Sequence, residues 1–228
     1  MSPLDWVWAA VGLILQSMVI CTMLRGWFRK YPFVFAYILF SFFSTVLQLS
    51  FLFHLGRNSK EFIRAYWFTD FVGTFLVLMV IIHMIRTAMA GHPQQKPVYA
   101  GLLLGVVATA AGSVFLMQMS NRHLTLSRWM TEVSRDYYFG AVLLNAILWL
   151  TLMRRHHENK QLYLLTSGLG LKLCGSAIGH ALRLTGAGVM LAGQFLVVTY
   201  LVSLYVWFAA MKKAPVDAPV GEFSASPP

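Results

Sequence analysis

The stretch Leu162–Leu182 reads LYLLTSGLGLKLCGSAIGHAL, an apolar run with a single lysine, Lys172, near its middle. A helix of about 20 apolar residues is long enough to cross the hydrocarbon core of a bilayer. An ammonium at the bilayer centre costs at least about 2.5–3.5 kcal/mol on insertion scales. We therefore expect Lys172 to be buried beside carboxylates of neighbouring helices and to mark the place of any binding site.

The rest of the chain repeats this apolar pattern. Of its 228 residues, 58% are hydrophobic and only 11% are charged, whereas about 25% are charged in typical soluble domains. Seven runs are long enough to span a membrane: Trp6–Leu24, Phe33–Phe53, Ala65–Ile85, Val98–Met119, Trp129–Met153, Leu162–Leu182 and Val189–Ala210. The sequence therefore predicts an all-α, polytopic membrane protein. Residues 1–211 form one seven-transmembrane-helix bundle, and residues 212–228, rich in Pro, Ala and Ser, form a disordered cytoplasmic tail.

The distribution of cations predicts the orientation of the bundle, because cytoplasmic loops of membrane proteins carry an excess of Lys and Arg. With the N-terminus outside, the inner segments hold most of the cations near the run ends: Arg25, Arg29, Lys30, Arg86, Lys96, Arg154, Arg155, Lys160, Lys212 and Lys213. We predict an N-out/C-in, multi-pass protein of the cell (inner or plasma) membrane. Its net charge of +10 then reflects contact with the anionic lipids of the bilayer. No nucleic-acid partner is expected, because the cations are spread over short loops.

Polar residues of the sixth run share one side of the predicted helix. At about 100° per residue, Lys172, Ser176, His180 and Arg183 fall within about 80° of arc. Such a stripe in a membrane helix indicates a polar interior and not contact with lipid.

Acidic residues of two other runs complement this stripe. The third run carries Asp70, and the fifth run carries Glu132 and Asp136 with Arg135 between them. We predict a ligand-binding pocket in the outer half of the bundle, formed by Asp70, Glu132, Arg135, Asp136, Lys172, Ser176 and His180. An alternative for the three charges of the fifth run is the headgroup layer, because the apolar part of that run could begin at Tyr137.

Small residues of the spans predict close helix packing. Gly175 and Gly179 in the sixth run, like Gly101 and Gly105 in the fourth, match the G-x-x-x-G pattern that lets a neighbouring backbone approach. The two cysteines, Cys21 and Cys174, are predicted to be buried packing residues, since two thiols inside spans form neither a disulfide framework nor a zinc ribbon.

Two seven-helix families share single features with this chain. Ser50-Phe-Leu-Phe-His54 with Asp70 resembles part of the pattern of the ceramidase and adiponectin-receptor group of zinc hydrolases. That group also needs H-x-x-x-H on its last helix, where this chain has no histidine, so the resemblance does not complete a zinc site. Microbial rhodopsins carry a lysine on the seventh helix, whereas Lys172 lies in the sixth run. We expect neither a metal nor another cofactor.

A weak internal repetition indicates a possible duplicated layout. A shift of 129 residues aligns Gln16 with Asn145 and Arg25 with Arg154. The result is a 3+1+3 parallel repeat, in which three helices, a linking fourth and three more keep the same orientation. This layout resembles the sugar-type and vitamin-type small transporters.

Three functions are compatible with these features. A small-solute transporter or permease with a polar pocket is favoured, since we expect no effector domain beside the helix bundle. The alternative is a membrane sensor or accessory subunit that binds a small-molecule ligand and signals to a membrane partner. An intramembrane hydrolase ranks third, because no nucleophile, base and orienting group can be assembled from the sequence. Helix contacts with a membrane partner or within a homo-oligomer are equally open.

Overall fold

Six long helices make up the computed structural model, which describes residues 3–56, 59–89, 100–101, 104, 126–154, 160–184 and 189–212. The helices are α1 (Pro3–Thr22), α2 (Pro32–Leu55), α3 (Lys60–Ala88), α4 (Leu126–Arg154), α5 (Lys160–Leu184) and α6 (Val189–Met211). No β-strand occurs among the described residues. The predicted all-α class is therefore confirmed.

The first span continues beyond α1 through a local change in helix geometry. The segment Met23–Trp27 forms a kink, in which Gly26 has φ 119°, a left-handed backbone conformation that glycine adopts without steric cost. One more helical turn, Phe28–Lys30, follows, and Pro32 then begins α2 in the first turn, where its missing N–H is not needed. This arrangement places the basic residues of the first connection at the end of the first span.

The helices form a closed ring in chain order. Each of the six packs against the next described helix, and α1 packs against α6 to complete the circle. Large apolar side chains point away from this ring, among them Phe43, Phe68, Leu143, Leu191 and Tyr205. All six helices are long and apolar enough to cross a bilayer, so the chain has the features of a multi-pass membrane protein.

Neighbouring helices α3 and α4 run in the same direction. Two hydrogen bonds join them in the same order along both chains, from Ser134 to Asp70 and between Tyr138 and Thr74. The end of α3 and the start of α4 therefore lie at opposite ends of the bundle. The predicted fourth run, Val98–Met119, falls between them and, except for residues 100, 101 and 104, lies outside the described residues. The described part of the chain thus contains six spans of the predicted seven.

Glycines of α5 bring it close to α6, as the G-x-x-x-G pattern predicts. A Cβ atom at Gly175 would overlap the side chain of Thr199, and one at Gly179 would overlap that of Leu196. The two helices approach closely because these positions carry no side chain. The corresponding pair in the fourth run depends on Gly105, which lies outside the described residues.

The prediction of buried cysteines was wrong. Both Cys21 and Cys174 are exposed on the outside of the ring. Cys174 follows the buried Lys172 by two residues, or about 200° of helical rotation, which turns its side chain to the opposite face of α5. Thiols are apolar enough to face lipid, so membrane insertion does not require their burial.

Candidate functional site

A cavity of about 150 Å³ lies inside the ring, between α2, α3, α4 and α5. Its lining is mostly polar, although the chain is mostly apolar. Helix α2 supplies Tyr37, Phe40, Ser41, Ser44, Thr45 and Gln48, and α3 supplies Tyr66, Thr69, Asp70 and Gly73. Tyr138 of α4 and Lys172 of α5 complete the lining. Both charged residues of the cavity, Asp70 and Lys172, were among the predicted site residues.

Lys172 is buried, with 6% of its surface exposed, as its position in the sequence predicts. Its ammonium lies 4.9 Å from the ring centre of Tyr37 and 5.3 Å from that of Tyr138. A desolvated cation over an aromatic face gains about 2 kcal/mol or more. The direct ion pair expected for this lysine is not formed: among the described residues, no carboxylate lies within 4.0 Å of Nζ and no group accepts a hydrogen bond from it.

Asp70 presents its carboxylate to the same cavity from α3. The Ser134 hydroxyl donates a hydrogen bond of 2.7 Å to Oδ2. The bond comes from the neighbouring helix and fixes the orientation of the carboxylate. Asp70 and Lys172 therefore share one cavity without touching each other.

His180 extends the buried polar stripe of α5 toward the end of the helix. Its ring stacks on Tyr138 at 5.3 Å between centres and 14° between planes, and only 2% of its surface is exposed. Ser176 is buried between Lys172 and His180, one turn from each. Beyond them, Nη1 of Arg183 donates a 2.9 Å hydrogen bond to the hydroxyl of Tyr66. The predicted stripe thus faces the interior, but only Lys172 of these α5 residues lines the cavity.

The three predicted site residues in the first half of α4 do not line the cavity. Arg135 and Asp136 form an ion pair at 2.7 Å with each other, at 36% and 57% side-chain exposure. Glu132 is partly exposed and does not line the cavity. The structure therefore does not bring these three residues together with Lys172 and Asp70 in the cavity. Helix α4 turns Ser134 and Tyr138 toward the interior instead, four residues apart on its opposite face.

A second, partly buried polar cluster, which was not predicted from the sequence, joins α1, α2 and α6. Nε2 of Gln16 donates to the hydroxyl of Tyr200 at 2.8 Å and reaches Ser41 and Thr45 at 3.3 and 3.4 Å. The hydroxyls of Ser41 and Tyr200 lie 2.6 Å apart. Since Ser41 and Thr45 also line the cavity, polar groups continue from the cavity to the α1–α6 contact that closes the ring.

Metal-ligand residues do not gather at this site. Within the part of the chain that the structure describes, no group of three or more His, Cys, Asp or Glu side chains is placed to hold a metal ion. His54 is exposed and packs edge-on against Phe53, whereas His180 is buried against Tyr138.

Comparison with known proteins gives no relative. No family model, no curated protein and no solved structure matches the chain.

Proposed function

We propose that the chain is a small-solute transporter of the cell membrane, and that its solute binds in the cavity bounded by Lys172 and Asp70. One observation carries the proposal. The buried ammonium of Lys172 and the carboxylate of Asp70 line the same small cavity, yet the two groups do not form an ion pair with each other. Unpaired charges inside a membrane bundle are costly, and they characteristically mark substrate and ion pathways.

The depth of the cavity supports transport more than surface recognition. Lys172 lies at the middle of α5, which covers Lys160–Leu184. Sites of secondary transporters lie near the bilayer midplane, so that the same site can open to either side. A volume of about 150 Å³ suits a site for a small solute.

The arrangement of the helices supports the predicted topology. Helices α3 and α4 run in the same direction, so a seventh crossing between them returns the chain to the opposite side. We propose seven spans with a 3+1+3 parallel repeat, N-out and C-in. The ring of Phe33 lies 5.2 Å from that of His83, which brings Arg29 and Arg86 to one end of the bundle, as the positive-inside orientation requires.

The proposal is tested without knowing the solute, by asking from which side the cavity is reached. In a Cys21→Ala/Cys174→Ala background, Ser44→Cys places one thiol on the cavity lining. Right-side-out and inside-out vesicles are treated with a membrane-impermeant methanethiosulfonate, which reacts with an ionised thiol in contact with water. Phe43→Cys is the matched control, because the adjacent side chain is 61% exposed on the lipid-facing surface.

Transport predicts that Ser44→Cys reacts from both sides of the membrane, while Phe43→Cys reacts from neither. Reaction from the outer side alone would favour the sensor or accessory-subunit alternative. Absence of reaction from both sides, in protein that is folded and inserted, would contradict any solute pathway through the cavity.

A further inference from the structure

We propose that the ligand of the cavity is a small monocarboxylate anion whose oxygens accept hydrogen bonds from the ammonium of Lys172. The inference deepens the proposed function, because it assigns a chemical class to the solute. It rests on the surroundings of Lys172 and on the different partners of the two charges that line the cavity.

The surroundings of the ammonium require an acceptor. A lysine ammonium carries three N–H donors. The rings of Tyr37 and Tyr138 attract its charge through their faces, but a ring face is a poor substitute for an oxygen acceptor. Among the described residues no oxygen accepts from Nζ. A carboxylate in the cavity would supply charge-assisted hydrogen bonds, which are about twice as strong as neutral ones.

The two charged groups of the cavity lining favour a ligand that carries a carboxylate and no cation. The carboxylate of Asp70 already accepts a 2.7 Å hydrogen bond from Ser134. Among the described residues, the ammonium of Lys172 contacts the ring faces of Tyr37 and Tyr138 but no oxygen acceptor. A carboxylate supplies the acceptor that Lys172 lacks, whereas an amine or a zwitterion adds a second cation to the cavity that holds Lys172.

The size of the cavity suits a small ligand. Drug-sized ligands occupy pockets of about 300–1,000 Å³, well above the volume here. The hydroxyls of Ser44 and Thr45 add neutral partners on the α2 side of the cavity. Acetate is therefore a suitable probe, since it combines one carboxylate with a single methyl group.

Protection of a thiol from modification tests the assignment. Purified Ser44→Cys protein, again without the native cysteines, is treated with neutral methyl methanethiosulfonate, so that reagent access does not depend on cavity charge. Sodium acetate, glycine and methylammonium chloride are compared at equal ionic strength. Acetate is expected to slow modification about tenfold at about ten times its Kd, while glycine and methylammonium have no effect. Lys172→Gln should abolish the protection, whereas Arg64→Gln, which removes an exposed cation of α3, should retain it.

The outcomes separate the ligand class from the proposed transport. Protection by glycine or methylammonium and not by acetate would overturn the monocarboxylate assignment, even if the thiol is reached from both sides of the membrane. Protection by acetate in a protein labelled from one side only would retain the ligand and remove transport. If Lys172→Gln does not fold, Lys172→Arg gives a second test, because it keeps the charge and should keep protection. Loss of protection by acetate in folded Lys172→Arg protein would contradict the proposal.

Discussion

The hydroxyl of Ser134 donates a 2.7 Å hydrogen bond to the carboxylate of Asp70, across a separation of 64 residues in the chain. The two residues belong to α3 and α4, which run in the same direction. A single polar contact thereby aligns two helices and directs a carboxylate into the cavity. In a bundle whose lipid-facing and inward-facing surfaces are both largely apolar, such contacts specify which side of a helix faces inward.

Ser134→Ala is expected to lower stability, because Asp70 loses a hydrogen-bond donor inside the bundle. Hydrogen bonds between membrane helices average about 0.6 kcal/mol and reach about 1.7 kcal/mol. Bonds to a charged acceptor are the stronger ones, so we expect the upper part of this range. Thermal unfolding in detergent, followed by tryptophan fluorescence, measures the change in Tm.

The matched control for Ser134→Ala is Thr151→Ala on the same helix. The Thr151 hydroxyl bonds only to the backbone carbonyl of Ile147, one turn earlier in α4. This substitution removes a hydroxyl without breaking a contact between helices. If the Tm falls by the same amount in both variants, the hydrogen bond between Ser134 and Asp70 adds no more to stability than the hydroxyl of Thr151 does.

Tyr138→Leu is expected to destabilise the protein more than Tyr138→Phe. Both changes remove the hydroxyl, which lies 3.3 Å from that of Thr74, but only leucine removes the ring that contacts Lys172 and His180. The lost cation–π contact is worth about 2 kcal/mol, which corresponds to a fall in Tm of about 4–8 °C for a chain of this size. Thermal unfolding followed by circular dichroism in detergent measures the fall in Tm of both variants.

A ring exposed to lipid provides the control for this comparison. Tyr205→Leu alters a side chain that is 61% exposed on the outside of the bundle. The Tm of this variant should therefore stay close to that of the unaltered protein. Equal losses in Tyr138→Phe and Tyr138→Leu would show that the hydroxyl, and not the aromatic face, stabilises Lys172.

The position of the site along the helices could be predicted from the sequence more fully than the set of residues that line it. Lys172 and Asp70 are visible as charges inside apolar runs, and both line the cavity. The sequence of α2 also carries a pattern that indicates its part of the lining. Ser41, Thr45 and Gln48 recur at i, i+4 and i+7, on one face of a helix, and all three line the cavity. This signal is weak because uncharged hydroxyls are common in membrane helices and cost little there.

Other parts of the site could not be inferred from the sequence, for physical reasons. The charge of Asp136 led to the prediction that it belongs to the site, but this exposed carboxylate is stabilised by water and by Arg135. The inward face of α4 carries the less conspicuous Ser134 and Tyr138. Likewise, a buried ammonium can be stabilised by aromatic faces as well as by carboxylates, and the sequence does not indicate which partner lies across the bundle.

Substitution of the α5 glycines by alanine is expected to lower stability to different degrees, depending on which atoms of α6 lie opposite each position. An added Cβ at Gly175 would overlap the Oγ1 and Cβ atoms of Thr199, so relief requires movement of the α6 backbone. At Gly179 the overlap involves the branched end of Leu196, which is partly exposed and can turn aside. Gly175→Ala should therefore cost about 1–3 kcal/mol, and Gly179→Ala less, by thermal unfolding in detergent.

Gly140→Ala in α4 is the control for these two substitutions, because no atom lies within 4 Å of the added Cβ. There the intrinsic preference of alanine for helix should leave Tm unchanged or raise it, since glycine costs about 1 kcal/mol relative to alanine in a helix interior. A result in which Gly175→Ala is as stable as Gly140→Ala would mean that α5 and α6 do not approach at Gly175. The packing of α5 against α6 would then differ from the arrangement described above, and the position of Lys172 on α5 relative to the cavity would change with it.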